Sequence, residues 1–259
     1  MEINSRRSFI RGIALSGLST FFLPLIEANA TASNRKLKAN DGMVILFQGD
    51  SITDGNRGRN TDPNHIMGHG YAFSIASRIG CDFPEKNLTF INRGISGNKV
   101  TDLNNRWQTD TIDLKPDVLS ILIGVNDASS VVFQREPGVT IERYEEVYKG
   151  LLDRTLEKFP NIVFVLCEPF ISKVGRVKDN WEAYHSDIVQ RQAVVRKLAN
   201  QYNAVFVGFQ EVFDKACKRA PADYWIWDGV HPTVSGHELM AREWIKMVSK
   251  RIKFLKKEI

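Results

Sequence analysis

Three residue types that together can activate a hydroxyl are present in this chain, far apart in sequence. Ser51 stands in Gly49-Asp50-Ser51-Ile52-Thr53-Asp54, and Asp228 and His231 stand in Asp228-Gly229-Val230-His231-Pro232. A serine hydroxyl is a weak nucleophile until a base takes its proton during attack. An imidazole can be that base, and a carboxylate on its other nitrogen fixes the tautomer that leaves Nε2 free. If one helical turn joins Asp228 to His231, positions i and i+3 project to the same side and the pair can form. Taken singly, Ser51 suits a helix or turn cap equally well, and a histidine before proline is usually structural. The aspartate at this spacing is what favours chemistry.

Two more segments could stabilise a developing oxyanion. Asn92-Arg93-Gly94-Ile95-Ser96-Gly97-Asn98 follows an apolar run, and its glycines let backbone N–H groups approach a ligand, Gly94 first among them. Ser96 is a rival nucleophile, but no base stands near it in sequence. Gly124-Val125-Asn126-Asp127 supplies an uncharged side chain with two N–H donors in Asn126. A tight turn or a cap accounts for either segment alone.

Positioning these groups requires strands that end where they stand. Short, nearly continuous apolar runs at Met43–Phe47, Leu88–Asn92, Val118–Gly124, Ile162–Glu168 and Ala204–Phe209 read as strands buried on both faces. Between them fall helical patterns at Tyr71–Ile79, Thr101–Gln108, Ile141–Lys158, Trp181–Tyr202 and Ser235–Phe254. In the third, Tyr144, Val147, Leu151, Leu152 and Leu156 form one apolar stripe. This alternation predicts an α/β fold in three α/β/α layers around a five-stranded parallel sheet, spanning residues 42–259. Ser51 then sits at the sheet edge where ligands usually bind.

The 259 residues can bury one full core, and 43% hydrophobic with 25% charged residues is ordinary for a soluble globular protein. The net charge of +5 is partly concentrated near the C-terminus, where basic residues complement a helix dipole, so nucleic acid is not an expected partner. Cys81, Cys167 and Cys217 form no C-x-x-C pair and are expected to be buried thiols without a redox role. Residues 1–30 read as an export leader, followed by a polar stretch over 31–41. Ser5-Arg6-Arg7-Ser8-Phe9-Ile10-Arg11 resembles a twin-arginine signal, Gly12 to Ile26 is apolar, and Ala28-Asn29-Ala30 offers a cleavage site. This predicts a periplasmic or secreted protein that folds before export, touching a membrane only if the leader stays uncleaved.

In order along the chain, strand–G-D-S, strand–N-x-G-x-x-G, strand–G-x-N-D and D-x-x-H-P resemble the four blocks of the SGNH (GDSL) hydrolase family, from about Val44 to His237. The resemblance implies a flavodoxin-like fold and Ser51 as nucleophile, with His231 as general base and acid and Asp228 as its partner. It also implies an oxyanion hole of the Ser51 N–H, the Gly94 N–H and the Asn126 side chain, with no cofactor. Gly68-His69-Gly70-Tyr71, Asp102-Leu103, Arg106-Trp107 and Trp227-Asp228 are similar to a bacterial branch that includes acetylxylan esterases. Acetylated carbohydrate is the substrate so implied, with Asp50 and Trp227 as expected contacts. Where many such relatives carry an aromatic after G-x-N-D, this chain has Ala128-Ser129-Ser130, so one wall of the site is expected to differ.

Alternatives stay open: another SGNH esterase, such as a lipase, thioesterase or cell-wall glycan esterase, or a carbohydrate-binding protein without activity. The G-x-S-x-G elbow of α/β-hydrolases is absent. His65 and His69 have the spacing of metal ligands on a helix, but Pro63, Gly68 and Gly70 oppose a helix there, and no metal is expected. His237 reads as packing or capping, and His185 as solvated. Trp181, Tyr224 and Trp225 read as core or contact residues before sugar platforms. Oligomeric state, including a homo-oligomer, is not legible.

Overall fold

The structure, a computed structural model, describes residues 41–258. The expected export leader and nearly all of the polar stretch after it lie outside the described residues.

The described residues open with β1 (Val44–Gly49), a short α1 (Ser51–Asp54), α2 (Tyr71–Asp82), β2 (Thr89–Asn92) and α3 (Val100–Trp107). Next come β3 (Val118–Leu122), α4 (Val125–Val132), α5 (Ile141–Lys158), β4 (Val163–Cys167) and α6 (Trp181–Gln201). Last come β5 (Val205–Val207), α7 (Phe209–Ala216), α8 (Ala222–Trp225) and α9 (Val234–Ser249). The strands form one parallel sheet in the order β2-β1-β3-β4-β5.

Burial on both faces explains the apolar runs. Ile45 and Phe47 enter a core with Ile75, Met240 and Trp244, while Leu46 between them enters the opposite core with Trp107, Tyr148 and Leu151. Each fully buried aliphatic side chain contributes roughly 1.5–3 kcal/mol. The large rings also satisfy their polar edges: Trp244 Nε1 donates to Ser120 Oγ at 2.9 Å, and Trp107 Nε1 to Thr155 Oγ1 at 2.9 Å.

Several boundaries differ from the sequence reading. The eight-residue α4 occupies a segment read as a turn, and Phe209 opens α7 where a strand end was expected. The final helix stops at Ser249, short of Phe254. Cys167 is buried, with its thiol pushed up to about 12, but Cys81 and Cys217 are exposed, contrary to expectation. Among the described residues, no helix is long and apolar enough to cross a membrane.

The strand order reverses at β1, because the chain passes to β2 on one side and returns to β3 on the other. A crevice opens at the C-terminal ends of strands where such a reversal occurs. Ser51 follows β1 there, and Asn126 follows β3.

Candidate active site

Ser51 is the first residue of α1, so its N–H has no intrahelical acceptor. Asp50 precedes it in extended conformation and caps the helix, its Oδ1 accepting from Ile52 N at 3.0 Å. Asp50 is only 1% exposed, and burial pushes its carboxyl up to about 7 against the Ile52 bond. The expected substrate contact therefore gives way to a support role: Asp50 holds the turn that carries Ser51 from behind.

The aspartate and histidine arrive on a turn between α8 and α9, clipped at its base by an antiparallel bridge between Ile226 and Pro232. No helical turn joins them. Instead Asp228 Oδ1 accepts two backbone N–H groups, from Val230 at 2.9 Å and His231 at 2.7 Å. This carboxylate-centred turn leaves Oδ2 for the ring, and His231 Nδ1 lies 2.8 Å from it. The far nitrogen, Nε2, is 2.8 Å from Ser51 Oγ, across 180 positions of sequence. Partial burial raises the Asp228 carboxyl, but hydrogen bonds from the His231 ring, the His231 N–H and the Val230 N–H outweigh it and hold it at about 2. Near neutrality it is a carboxylate, as an acceptor for Nδ1–H must be. Gly229 adopts φ +90°, and a Cβ there would fall 2.5 Å from Val174 O, so the turn demands glycine.

Asn126 lies in the first turn of α4, its Nδ2 donating to Asn98 O at 3.1 Å. An amide nitrogen carries two hydrogens, so one remains for a ligand. Its neighbour Asp127 is wholly buried and accepts from Val100 N at 3.0 Å. Together they tie the start of α4 to the start of α3, and to the loop from Asn92 to Asn98. Arg106 pins that loop from α3, with Nη1 donating to Arg93 O and Nε to Asn98 Oδ1, each at 2.8 Å. Asn92 fastens it from below by donating to Thr53 O at 2.7 Å and Met67 O at 3.0 Å.

Gly94 does not fit the role expected of it. Its N–H donates to Asn92 Oδ1 at 2.9 Å, and a Cβ there would fall 2.3 Å from Asp54 N. Its glycine serves the close approach of two backbones. Three residues on, the exposed Gly97 has an N–H that meets no acceptor among the described residues. The sequence points to Gly94 rather than Gly97, because nothing in N-x-G-x-x-G shows that the Asn92 side chain takes the first N–H. Ser96 is not a competing nucleophile: its Oγ and N–H both donate to Asp54 Oδ2, each at 3.0 Å. Burial would raise Asp54, but Arg59 and Ser96 together lower its carboxyl, so it is no base.

Trp227 is 63% exposed and lies nearly parallel to the His231 ring, at 6.4 Å and 23°. Tyr224 is also exposed, whereas Trp225 is buried and Trp181 stacks on the exposed His185 at 4.8 Å. Ala128 and Ser130 are buried, Ser130 Oγ donating to Asp127 O at 2.7 Å, so they support α4 from inside. His237, on α9, is buried and accepts from Tyr71 N through Nδ1 at 3.0 Å, which joins α9 to α2. His65 and His69 are exposed on a loop, His65 lying 3.6 Å from Asp62. Among the described residues, no group of three or more His, Cys, Asp or Glu is arranged to hold a metal ion.

Comparison with known proteins gives this geometry its relatives. Residues 47–239 match the GDSL-like lipase/acylhydrolase family. An acetylxylan esterase from Geobacillus stearothermophilus is 33% identical over 217 residues, 82% of this chain and 96% of that one. A Parabacteroides merdae structure described as a GDSL-like lipase aligns with TM-score 0.77 and 42% identity, covering 81% of this chain and 97% of that one. The Geobacillus enzyme Axe2 aligns with TM-score 0.70 and 33% identity, covering 81% and 95%. Axe2 has been solved with a serine, an aspartate or a histidine replaced by alanine, each described as a catalytic mutant. Its aspartate stands three positions before its histidine, the interval between Asp228 and His231 here. From the family match over most of its length, this chain belongs to the GDSL-like lipase/acylhydrolase family and is a carboxylic ester hydrolase.

Proposed function

We propose that this chain is an exported serine esterase that removes O-acetyl groups from carbohydrate, of the acetylxylan or acetylated oligosaccharide type, by two-step acyl transfer. The observation that carries the mechanism is the unbroken chain from Ser51 Oγ to His231 Nε2 and from His231 Nδ1 to Asp228 Oδ2, at 2.8 Å for each link. Ser51 attacks the ester carbonyl while Nε2 takes its proton, and Asp228 stabilises the imidazolium that forms. The oxyanion is met by the Ser51 N–H, the free hydrogen of Asn126 Nδ2 and, in place of Gly94, the Gly97 N–H. His231 then protonates the departing sugar hydroxyl, and water repeats the cycle to release acetate.

The acetyl and sugar preference is supported by the similarity to acetylxylan esterase over nearly the whole of that protein. The exposed Trp227 supports it too, as an aromatic face beside the catalytic histidine on which a sugar ring can pack. Export rests on the twin-arginine-like leader in residues 1–30.

The test uses the full chain and Ser51→Ala with a chromogenic acetate ester, acetylated xylo-oligosaccharides and longer-chain esters. Acetate release by the unsubstituted chain alone is expected. Hydrolysis that survives Ser51→Ala would overturn the nucleophile, and preference for long acyl chains would favour a lipase. No hydrolysis at all would favour a binding protein.

A further inference from the structure

The carboxylate of the proposed triad has, besides His231, a cationic neighbour that the acyl-transfer chemistry does not require. Arg176 Nε lies 3.2 Å from Asp228 Oδ2, the same oxygen that faces His231 Nδ1. The contact is built into the backbone. Arg176 N donates to Asp228 O at 3.2 Å, and Ser172 N donates to Gly229 O at 2.9 Å. Gly175, at φ +52°, lies so close that a Cβ would fall 2.5 Å from Asp228 Cα. The segment from Ser172 to Val177 is thus packed directly on the turn that carries Asp228 and His231.

We propose, on the reading of Ser51, His231 and Asp228 as the triad, that Arg176 is a positioning residue that acts through Asp228 to keep the imidazole free as a base in mildly acidic solution. Orientation of the carboxylate does not need Arg176, because two backbone N–H groups already hold Oδ1. What the guanidinium adds is charge. It competes with the ring for Oδ2, and it repels the positive charge that the ring acquires on taking a proton. Protonation of the resting enzyme is thereby opposed, at some expense to the imidazolium formed during catalysis. Among the described residues, the other titratable groups that feel the charge of His231 are Asp50, just after β1, and His237, on α9. The buried Tyr184 of α6 lies near Arg176, its hydroxyl donating to Val125 O at 3.1 Å. Arg176 opposes the rise that burial causes in the Tyr184 hydroxyl, so substitution at position 176 moves only a group that stays protonated throughout the acid limb.

The Arg176 side chain is 59% exposed, so solvent and salt screen its effect. Its exposure also makes substitution compatible with folding. The experiment measures kcat/KM against pH for the full chain, Arg176→Met and Arg176→Lys, at low and high salt, with Ser51→Ala as control. In Arg176→Met at low salt, the acid limb is expected to move up by about half a pH unit, with an undiminished plateau. Arg176→Lys should stay near the unsubstituted chain, and high salt should bring the unsubstituted chain toward Arg176→Met. An acid limb unmoved in Arg176→Met, or equally displaced in Arg176→Lys, would overturn the role of Arg176 while leaving the triad standing. Hydrolysis that persists in Ser51→Ala would overturn the triad reading and this inference with it.

Discussion

Asn126 has two amide hydrogens, and the one spent on Asn98 O fixes the direction of the other. Replacing it with alanine should leave the fold intact, since the side chain is only partly buried, and lower kcat by about 10²–10³-fold. Steady-state kinetics beside a thermal unfolding curve checks this, and activity within a fewfold of the unsubstituted chain would remove Asn126 from the oxyanion site. At this scale residue type was legible where side chains form the proposed site: Ser51, Asn126, Asp228 and His231 follow from what their groups can donate or accept. Backbone roles were not. Whether Gly94 or Gly97 has a free N–H depends on the Asn92 carboxamide, which takes the Gly94 hydrogen. The burial of Asp50 depends on packing around α1, which its sequence neighbours do not specify.

Between elements, Asp127 illustrates how a group away from the reacting atoms can matter. Its carboxylate, wholly buried, takes the N–H of Val100 and so joins the N-termini of α4 and α3 beside the loop from Asn92 to Asn98. Burial pushes its carboxyl up to about 6, with Arg191 opposing the rise. Asp127→Ala strands the Val100 N–H and should cost about 1–3 kcal/mol of stability and reduce kcat. Asp127→Asn keeps an acceptor and should recover most of both. An alanine variant as stable and active as the unsubstituted chain would contradict this link. Helix α5 was legible to the residue because Tyr144, Val147, Leu151 and Leu152 keep helical spacing along its buried face and Thr140 caps it by accepting from Arg143 N, although Leu156, expected on the same stripe, is exposed. The shorter α4 carries too few apolar residues to show a period, and its opening G-V-N-D reads as a turn. The Asp228–His231 pairing was legible, but its geometry was not, since a carboxylate-centred turn and a helical turn bring i and i+3 together alike.

Across the whole molecule, the α/β/α layers and the parallel sheet follow from five apolar runs alternating with helical patterns. Strand order does not, because every run is apolar enough to be central. On one face, helices α2 and α9 are joined through the buried His237, whose Nδ1 accepts the Tyr71 N–H. Burial, followed by the nearby His69 and His231, depresses this imidazole to about 4. In the unfolded chain it takes a proton at about 6.5. As pH falls from about 6.5 to about 4, the unfolded state therefore binds the proton first and folded stability declines. Above about 6.5 this residue adds no pH dependence. The loss amounts to about 3 kcal/mol by pH 4, while Asp50, raised to about 7, acts in the opposite sense over much of that window. Urea unfolding of His237→Gln beside the unsubstituted chain isolates the histidine: their stability difference should be flat above pH 6.5 and shift toward the variant below it. A difference independent of pH would contradict the buried neutral imidazole.

The most direct measurement of the central claim is covalent. The full chain and Ser51→Ala are treated with a serine-directed phosphonate and the modified residue is located by peptide mass spectrometry. One phosphonyl group on Ser51, absent from the Ser51→Ala protein, is predicted, because among the described residues only this hydroxyl has a histidine on it, 2.8 Å away and backed by Asp228. Labelling of Ser96 instead, or equal labelling of both proteins, would contradict the account.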